Sequence, residues 1–142
     1  MGDIFGKDFR EFITALKGEK VDFVLIGGYA VIIRGYHRTT RNLDIFVRAT
    51  EDNYTRIVKA FSDFGMSTFD MTLESFLDSD KDVFTFGRSP VSIDILTSVK
   101  GLTFLDTKHF SSIVDVEQLI IPVLTKDGLI KAKKASDRPK DQ

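Results

Sequence analysis

The chain has 142 residues, enough for one domain with a modest hydrophobic core, and its 42% hydrophobic and 29% charged residues are typical of a globular protein. The net charge of −1 argues against coating of nucleic acid by charge alone, and the lack of cysteine excludes disulfides and thiolate metal sites. No apolar run approaches the ~20 residues that span a bilayer, so we expect a cytoplasmic protein without membrane contact.

Helices and strands alternate in the first third of the chain. Apolar residues recur at helical spacing in segment 7–17 and predict an amphipathic helix. The run VDFVLI at 21–26 predicts a strand covered on both faces, which Gly27 and Gly28 end. Residues 29–35 then predict a short buried helix.

The middle of the chain predicts one strand and one long helix. Residues 43–47 form a second apolar strand, and Thr50 is placed to cap a helix whose apolar spacing continues to Gly65. Within 66–80 only one further helical turn, near Phe76, is predicted.

The last third predicts a hairpin, one more strand and a closing helix. The hairpin is joined through Ser89 and Pro90, and the chain after Gly101 is predicted to be irregular until its last strand. Thr125 is placed to cap the closing helix. The strands of this part are predicted at 82–88, 91–98 and 119–124.

This order of elements predicts an α/β (α+β) protein with a small mixed β-sheet and helices mainly on one face. We predict a single domain over residues 1–142. Its segment 131–142 holds five basic and two acidic groups and is predicted to be a basic C-terminal tail that is solvated rather than bound to phosphate.

Two carboxylates interrupt predicted apolar strands. Side chains alternate across a strand, so Asn42 and Asp44 share one face while Leu43 and Ile45 point to the other. Asp94 has the same setting in VSIDILT. An unpaired carboxylate is costly there, so each acid needs a basic partner such as Arg38 or Arg41, an open face, or a cation. Two such acids favour a site for Mg²⁺ or Mn²⁺.

A glycine pair precedes these acids in VLIGGYAVI. A strand, Gly27-Gly28 and a helix in succession let a phosphate approach backbone N–H groups. No Gly-Lys-Ser/Thr follows, so this is not a Walker loop. Glycine pairs are common in turns, so this pair predicts a phosphate site only in combination with the two acids.

The span IGGYAVIIRGYHRTTRNLDIFV resembles the nucleotidyltransferase superfamily with the DNA polymerase beta-like fold, whose signature is Gly-Gly/Ser, a short helix, and Asp-x-Asp on the next strand. It is most similar to the branch that contains abortive-infection-type toxins, and LIKAKKASDRPKD is similar to the end of that branch. Asp94 falls where the family has its third carboxylate. The residues that match the branch pattern are Gly27, Gly28, Ala30, Gly35, Arg38, Thr40 and Asp44.

The resemblance implies transfer of a nucleoside monophosphate from an NTP to a hydroxyl on a protein, RNA or small molecule. Asp44 and Asp94 are then the catalytic residues, and with Asn42 they form the metal site for Mg²⁺ or Mn²⁺. The nucleotide-binding residues are Gly27, Gly28, Arg38 and Thr40. Asp94 is expected to orient and deprotonate the attacking hydroxyl.

Asn42 departs from this pattern, which has an aspartate at the first position of Asp-x-Asp. An amide oxygen can ligate Mg²⁺ but contributes no charge, so metal affinity is expected to be lower. The sequence therefore supports two hypotheses: a weakened transferase, or an inactive module that binds a nucleotide or a partner protein, for example in a toxin–antitoxin pair.

Overall fold

The computed structural model describes residues 4–88 and 91–137. In that part of the chain a mixed sheet of six strands is combined with six helices. The strands are β1 Phe23–Ile26, β2 Asn42–Val47, β3 Val83–Arg88, β4 Val91–Leu96, β5 Ser111–Val116 and β6 Leu119–Leu124. The helices are α1 Gly6–Gly18, α2 Gly27–Ile33, α3 Glu51–Phe64, α4 Leu73–Leu77, α5 Thr107–Phe110 and α6 Lys126–Asp137.

The strands lie in the order β3-β4-β2-β1-β6-β5. The pairs β2–β4 and β1–β6 are parallel, and β1–β2, β3–β4 and β5–β6 are antiparallel. This mixed sheet confirms the predicted fold class. None of the described helices is long and apolar enough to cross a membrane.

The two faces of the sheet differ in polarity because side chains alternate along each strand. The core face carries Leu43, Ile45 and Val47 of β2, which are fully buried under a cluster that includes α1 and α3. The opposite face, here called the site face, carries Asn42 and Asp44. A smaller apolar cluster covers part of the site face, and α6 packs against it.

The helix boundaries follow the predicted caps. The Thr50 side chain accepts a hydrogen bond from the Asn53 N–H, and Gly65 ends α3 in the left-handed region. The Thr125 hydroxyl accepts from the Gly128 N–H at the start of α6. Residues 131–137 of the predicted basic C-terminal segment belong to α6. Residues 138–142 lie outside the described residues, as do Ser89 and Pro90 of the predicted hairpin.

The prediction of irregular chain between Gly101 and residue 119 was wrong. The short helix α5 and the edge strand β5 occupy part of it, and β5 pairs with β6 in a hairpin. Its turn residues Glu117 and Gln118 have φ of 54° and 76°, conformations in which glycine or asparagine is usual. Because neither turn residue is glycine or asparagine, the sequence gives no signal of a hairpin here.

Candidate functional site

The parallel pairing of β2 with β4 aligns Asp44 with Asp94 on the site face. Their side chains lie close enough for the charge of Asp94 to act directly on Asp44. The predicted proximity of the two acids is therefore confirmed. No salt bridge joins either acid to an arginine within residues 4–88 and 91–137, so the alternative of an ion pair with Arg38 or Arg41 is not realised there.

Crowding of the two acids changes the protonation of Asp44. Burial, followed by the hydrogen bond and the negative charge of Asp94, raises the pKa of Asp44 to about 7, whereas the positive charge of Arg38 opposes the shift. The metal-free pair therefore favours holding a proton near neutral pH. A cation at the same place would relieve the same repulsion.

Hydroxyl side chains on neighbouring strands orient the polar residues of the site. The Thr85 hydroxyl on β3 donates to Asp94 Oδ1 at 2.8 Å, and the Ser92 hydroxyl donates to Asn42 Oδ1 at 2.9 Å. Sequence reasoning missed both residues. The available signal was Thr85 between Phe84 and Phe86, a polar residue alternating with buried ones.

Gly27 and Gly28 form the first turn of α2 itself, rather than a separate turn before it. Gly27 has φ +74°, and a Cβ there would lie 2.1 Å from Asp44 Oδ2. A Cβ on Gly28 would lie 2.6 Å from the Thr40 hydroxyl, which itself donates to the Asn42 carbonyl. At both positions the backbone, which has no side chain there, therefore lies directly against β2, the strand that carries Asp44.

Arg34 holds α2 in this position. The residue follows the helix, and its guanidinium donates to the carbonyl oxygens of Val123 and Leu124 at 2.8 and 3.0 Å and to the Ser112 hydroxyl at 2.9 Å. The far end of the helix is thereby fixed to the end of β6, which limits movement of the glycine turn at the other end.

A cleft of about 440 Å³ opens between this turn and α6. Gly27, Gly28, Arg38 and Asp44 line it. Its lining also contains Lys100, Lys133 and Ser136. The volume is that of a nucleotide-sized ligand, and three cations face it. Neither Lys100 nor Lys133 was predicted as a site residue, and the basic run at 131–134 is a local signal for Lys133 alone.

A second, polar cavity of about 530 Å³ adjoins the cleft. Residues 38–42 line it together with Gly28, so it includes Thr40 and Asn42. Asp44 lines both cavities. Two ligands could therefore meet at Asp44, one from each side.

The donor set fits one hard cation better than two. Mg²⁺ commonly uses one or two carboxylates together with substrate phosphates, and Asp44 and Asp94 can supply the carboxylates. Within the described residues there is no group of three His, Cys, Asp or Glu that could hold a metal. Asn42 is the nearest further donor, but its Oδ1 already accepts from Ser92.

No family model matches the sequence, and no curated protein sequence matches it. The solved structures that are similar include TM1012 and LnuA. TM1012 from Thermotoga maritima, a candidate nucleotidyltransferase, aligns over 92% of this chain and 83% of its own, with a TM-score of 0.64 and 16% identity. The lincosamide antibiotic adenylyltransferase LnuA, bound to lincomycin, aligns over 98% of this chain and 92% of its own, with a TM-score of 0.57 and 13% identity. At these identities the likeness is one of fold: the chain has the fold of these two nucleotidyltransferase structures.

Proposed function

We propose that the protein transfers a nucleoside monophosphate from an NTP to a hydroxyl acceptor. One observation carries the proposal: Asp44 and Asp94 are aligned on adjacent parallel strands, directly beside the bare backbone of Gly27. Asp44 lines the nucleotide-sized cleft and Asp94 is its neighbour on β4. Two close carboxylates that can hold a divalent cation are the arrangement that metal-assisted phosphoryl transfer uses. The shared fold with an adenylyltransferase supports the same reaction class.

The triphosphate would lie in the cleft that Arg38, Lys100 and Lys133 line. These three cations would offset its negative charge, and the N–H groups of Gly27 and Gly28 would reach phosphate oxygens because no side chain intervenes. Thr40 would border the phosphate site through its contact with Gly28.

Asp94 would act as the base. Thr85 engages Asp94 Oδ1, which fixes the carboxylate and leaves Oδ2 to accept the proton of the acceptor hydroxyl. The hydroxyl oxygen then bonds to the α-phosphorus while the bond to pyrophosphate breaks. Mg²⁺ or Mn²⁺ bound by Asp44 and Asp94, with Asn42 assisting, would supply the positive charge that stabilises the transferred phosphoryl group and the leaving pyrophosphate.

The acceptor would enter through the polar cavity at residues 38–42, which adjoins the cleft and shares Gly28, Arg38 and Asp44 with it. Its class stays open among protein, RNA and small molecule. We place the reaction in the cytoplasm, where NTPs are available. We also propose that the protein belongs to the branch that contains abortive-infection-type toxins, because Gly35, Arg38 and Thr40 match the pattern of that branch. Membership of that branch would give the protein an antitoxin or toxin as its partner protein.

A second candidate function is a module that binds nucleotide without turnover. The neutral Asn42, with its oxygen engaged by Ser92, favours it because the site then carries only two charges for metal binding. Such a module would keep the cleft and its cations.

Incubation with each of the four labelled NTPs and Mg²⁺ or Mn²⁺ tests the proposal, using the chain itself and a cell extract as acceptors. We expect label transfer by the native chain and its loss in Asp94→Asn, which keeps the shape of the side chain. Nucleotide binding without transfer under any of these conditions would favour the second candidate.

A further inference from the structure

We infer that the protein has a second ligand site, distinct from the cleft, that binds a nucleoside phosphate. The site is a groove of about 420 Å³, here called the basic groove. Its cationic residues are Lys17, Lys20, Arg48 and Lys108, its acid is Asp22, and its floor includes Val24, Phe104 and Pro122. None of the residues that line it lines the cleft.

Charge is concentrated in the basic groove. Four basic side chains and a single acid line it in a protein whose net charge is −1. The Lys17 ammonium donates to the Ile120 carbonyl. Asp22 is occupied by Arg48, with Nε and Oδ2 3.2 Å apart. Lys20 and Lys108 are exposed and make no salt bridge within the described part of the chain. Their charges are therefore available to an anion.

The floor offers an aromatic surface beside these charges. Phe104 is half-buried, and the Arg48 guanidinium lies 5.2 Å from the centre of its ring. Arg48 is thus held at two points, by Asp22 and by the ring, while about a third of its side chain stays exposed. Bases stack on aromatic rings and on guanidinium planes, so this surface suits a nucleobase better than it suits a bare inorganic anion.

Part of the basic groove lies on the site face close to the cleft, and its lining also includes Val21 and Phe23 of the core cluster. Val24 lines the groove and Ile26 lines the cleft, and both residues point to the same face of β1. Two residues along a strand span ~7 Å, about the spacing of adjacent nucleotides. The groove could hold a free nucleotide, or one unit of an oligonucleotide whose end reaches the cleft.

Binding without catalysis tests this inference. Fluorescence competition with AMP and with a labelled single-stranded hexanucleotide is measured in EDTA, so that neither metal nor transfer contributes. The groove variant is Lys20→Gln/Lys108→Gln, and the matched control Lys7→Gln/Lys59→Gln removes the same charge from exposed positions of α1 and α3. A third variant, Lys20→Arg/Lys108→Arg, keeps the charge.

We expect the groove variant to lose affinity by about tenfold or more, with the control and the arginine variant close to native. The slope of the logarithm of its affinity against the logarithm of the salt concentration should become shallower by about 0.7 for each phosphate that the protein no longer neutralises. Preference for AMP identifies a free nucleotide as the ligand, and preference for the hexanucleotide identifies an oligonucleotide. Equal losses in groove and control variants, or no binding of either probe below about 1 mM, would overturn the inference. Because no turnover is read, the result is independent of whether the cleft transfers nucleotides.

Discussion

Asn42 sets how tightly the acid pair can hold a cation. Replacing Asn42 by aspartate keeps the acceptor that the Ser92 hydroxyl uses and adds a negative charge beside Asp44 and Asp94. We expect Mg²⁺ affinity and label transfer to rise together by about tenfold, or ~1.4 kcal/mol, after desolvation and repulsion have offset most of the Coulomb gain. Isothermal titration with Mg²⁺ and the transfer assay measure both. Asn42→Ala controls for loss of the amide, and unchanged metal binding in Asn42→Asp would support the non-catalytic module.

Asp44 should make the stability of the metal-free protein depend on pH. Its folded pKa of about 7 lies above the ordinary value of 3.8, so the folded state binds more protons than the unfolded state between these values. The contribution of Asp44 to the free energy of unfolding is therefore highest below about pH 4 and declines as pH rises towards 7, by about 2 kcal/mol for a partly buried group. Urea unfolding in EDTA should show this decline in the native chain and in the exposed control Asp70→Asn. An equal decline in Asp44→Asn would assign the effect to other groups.

At the scale of elements, the glycines in the first turn of α2 leave no room for a side chain. Gly27→Ala combines a positive φ with a Cβ placed against Asp44, whereas Gly65→Ala at the end of α3 has φ +91° and open space around it. We expect Gly65→Ala to cost about 1 kcal/mol and Gly27→Ala more than about 2 kcal/mol, with loss of transfer only in the latter. Urea unfolding and the transfer assay give the two readouts. Equal costs at the two positions would mean that Asp44 moves aside freely.

Asn53 joins α3 to the two central strands. The fully buried side chain accepts from the Asp22 N–H at 2.8 Å and donates to the carbonyls of Asp22 and Arg48 at 3.1 and 2.9 Å. Asn53→Ala removes the partner of the Asp22 N–H and of the Arg48 carbonyl, whereas the Asp22 carbonyl still accepts from the Arg48 N–H at 3.3 Å. We expect the substitution to lower the free energy of unfolding by about 3 kcal/mol. Thr55→Ala, at an exposed position of the same helix, should stay within about 0.5 kcal/mol. A small effect of Asn53→Ala would indicate that water replaces the amide.

Elements with a strong local signal could be predicted from sequence, and those defined by distant partners could not. The apolar spacing and capping threonines predicted α3 and α6, and alternation placed Asn42 and Asp44 on one face. The mid-strand setting of Asp44 and Asp94 predicted that their strands are neighbours, which the pairing of β2 with β4 confirms. Ser92 and Lys100 acquire their positions only through tertiary pairing. The local signals at Thr85 and Lys133, an alternating polar residue and a basic run, do not show which groups these side chains face. Strand β5 was missed for a similar reason: as an edge strand it buries little, and only its pairing with β6 defines it.

At the scale of the whole molecule, ligand binding in the cleft should stabilise the fold. An NTP analogue that resists cleavage between its α- and β-phosphates adds about 2.7 kcal/mol at a hundred times its Kd, which corresponds to a Tm increase of about 5–10 °C. Thermal unfolding with Mg²⁺ measures it. The increase should shrink without Mg²⁺ and in Asp44→Ala, and an equal increase in every case would place the nucleotide elsewhere.

The parallel pairing of β2 with β4 also has a kinetic consequence. It joins Asn42 to Ser92 across a separation of 50 residues, so it forms only when a long loop closes. Such non-local pairing slows folding compared with the local contacts of hairpins and helices. Because the two carboxylates meet at this step, their repulsion raises the barrier to any folding transition state in which β2 and β4 are already paired. The same two residues that would promote chemistry therefore retard the assembly of the sheet that carries them, and a proton or a divalent cation present during folding would relieve that conflict.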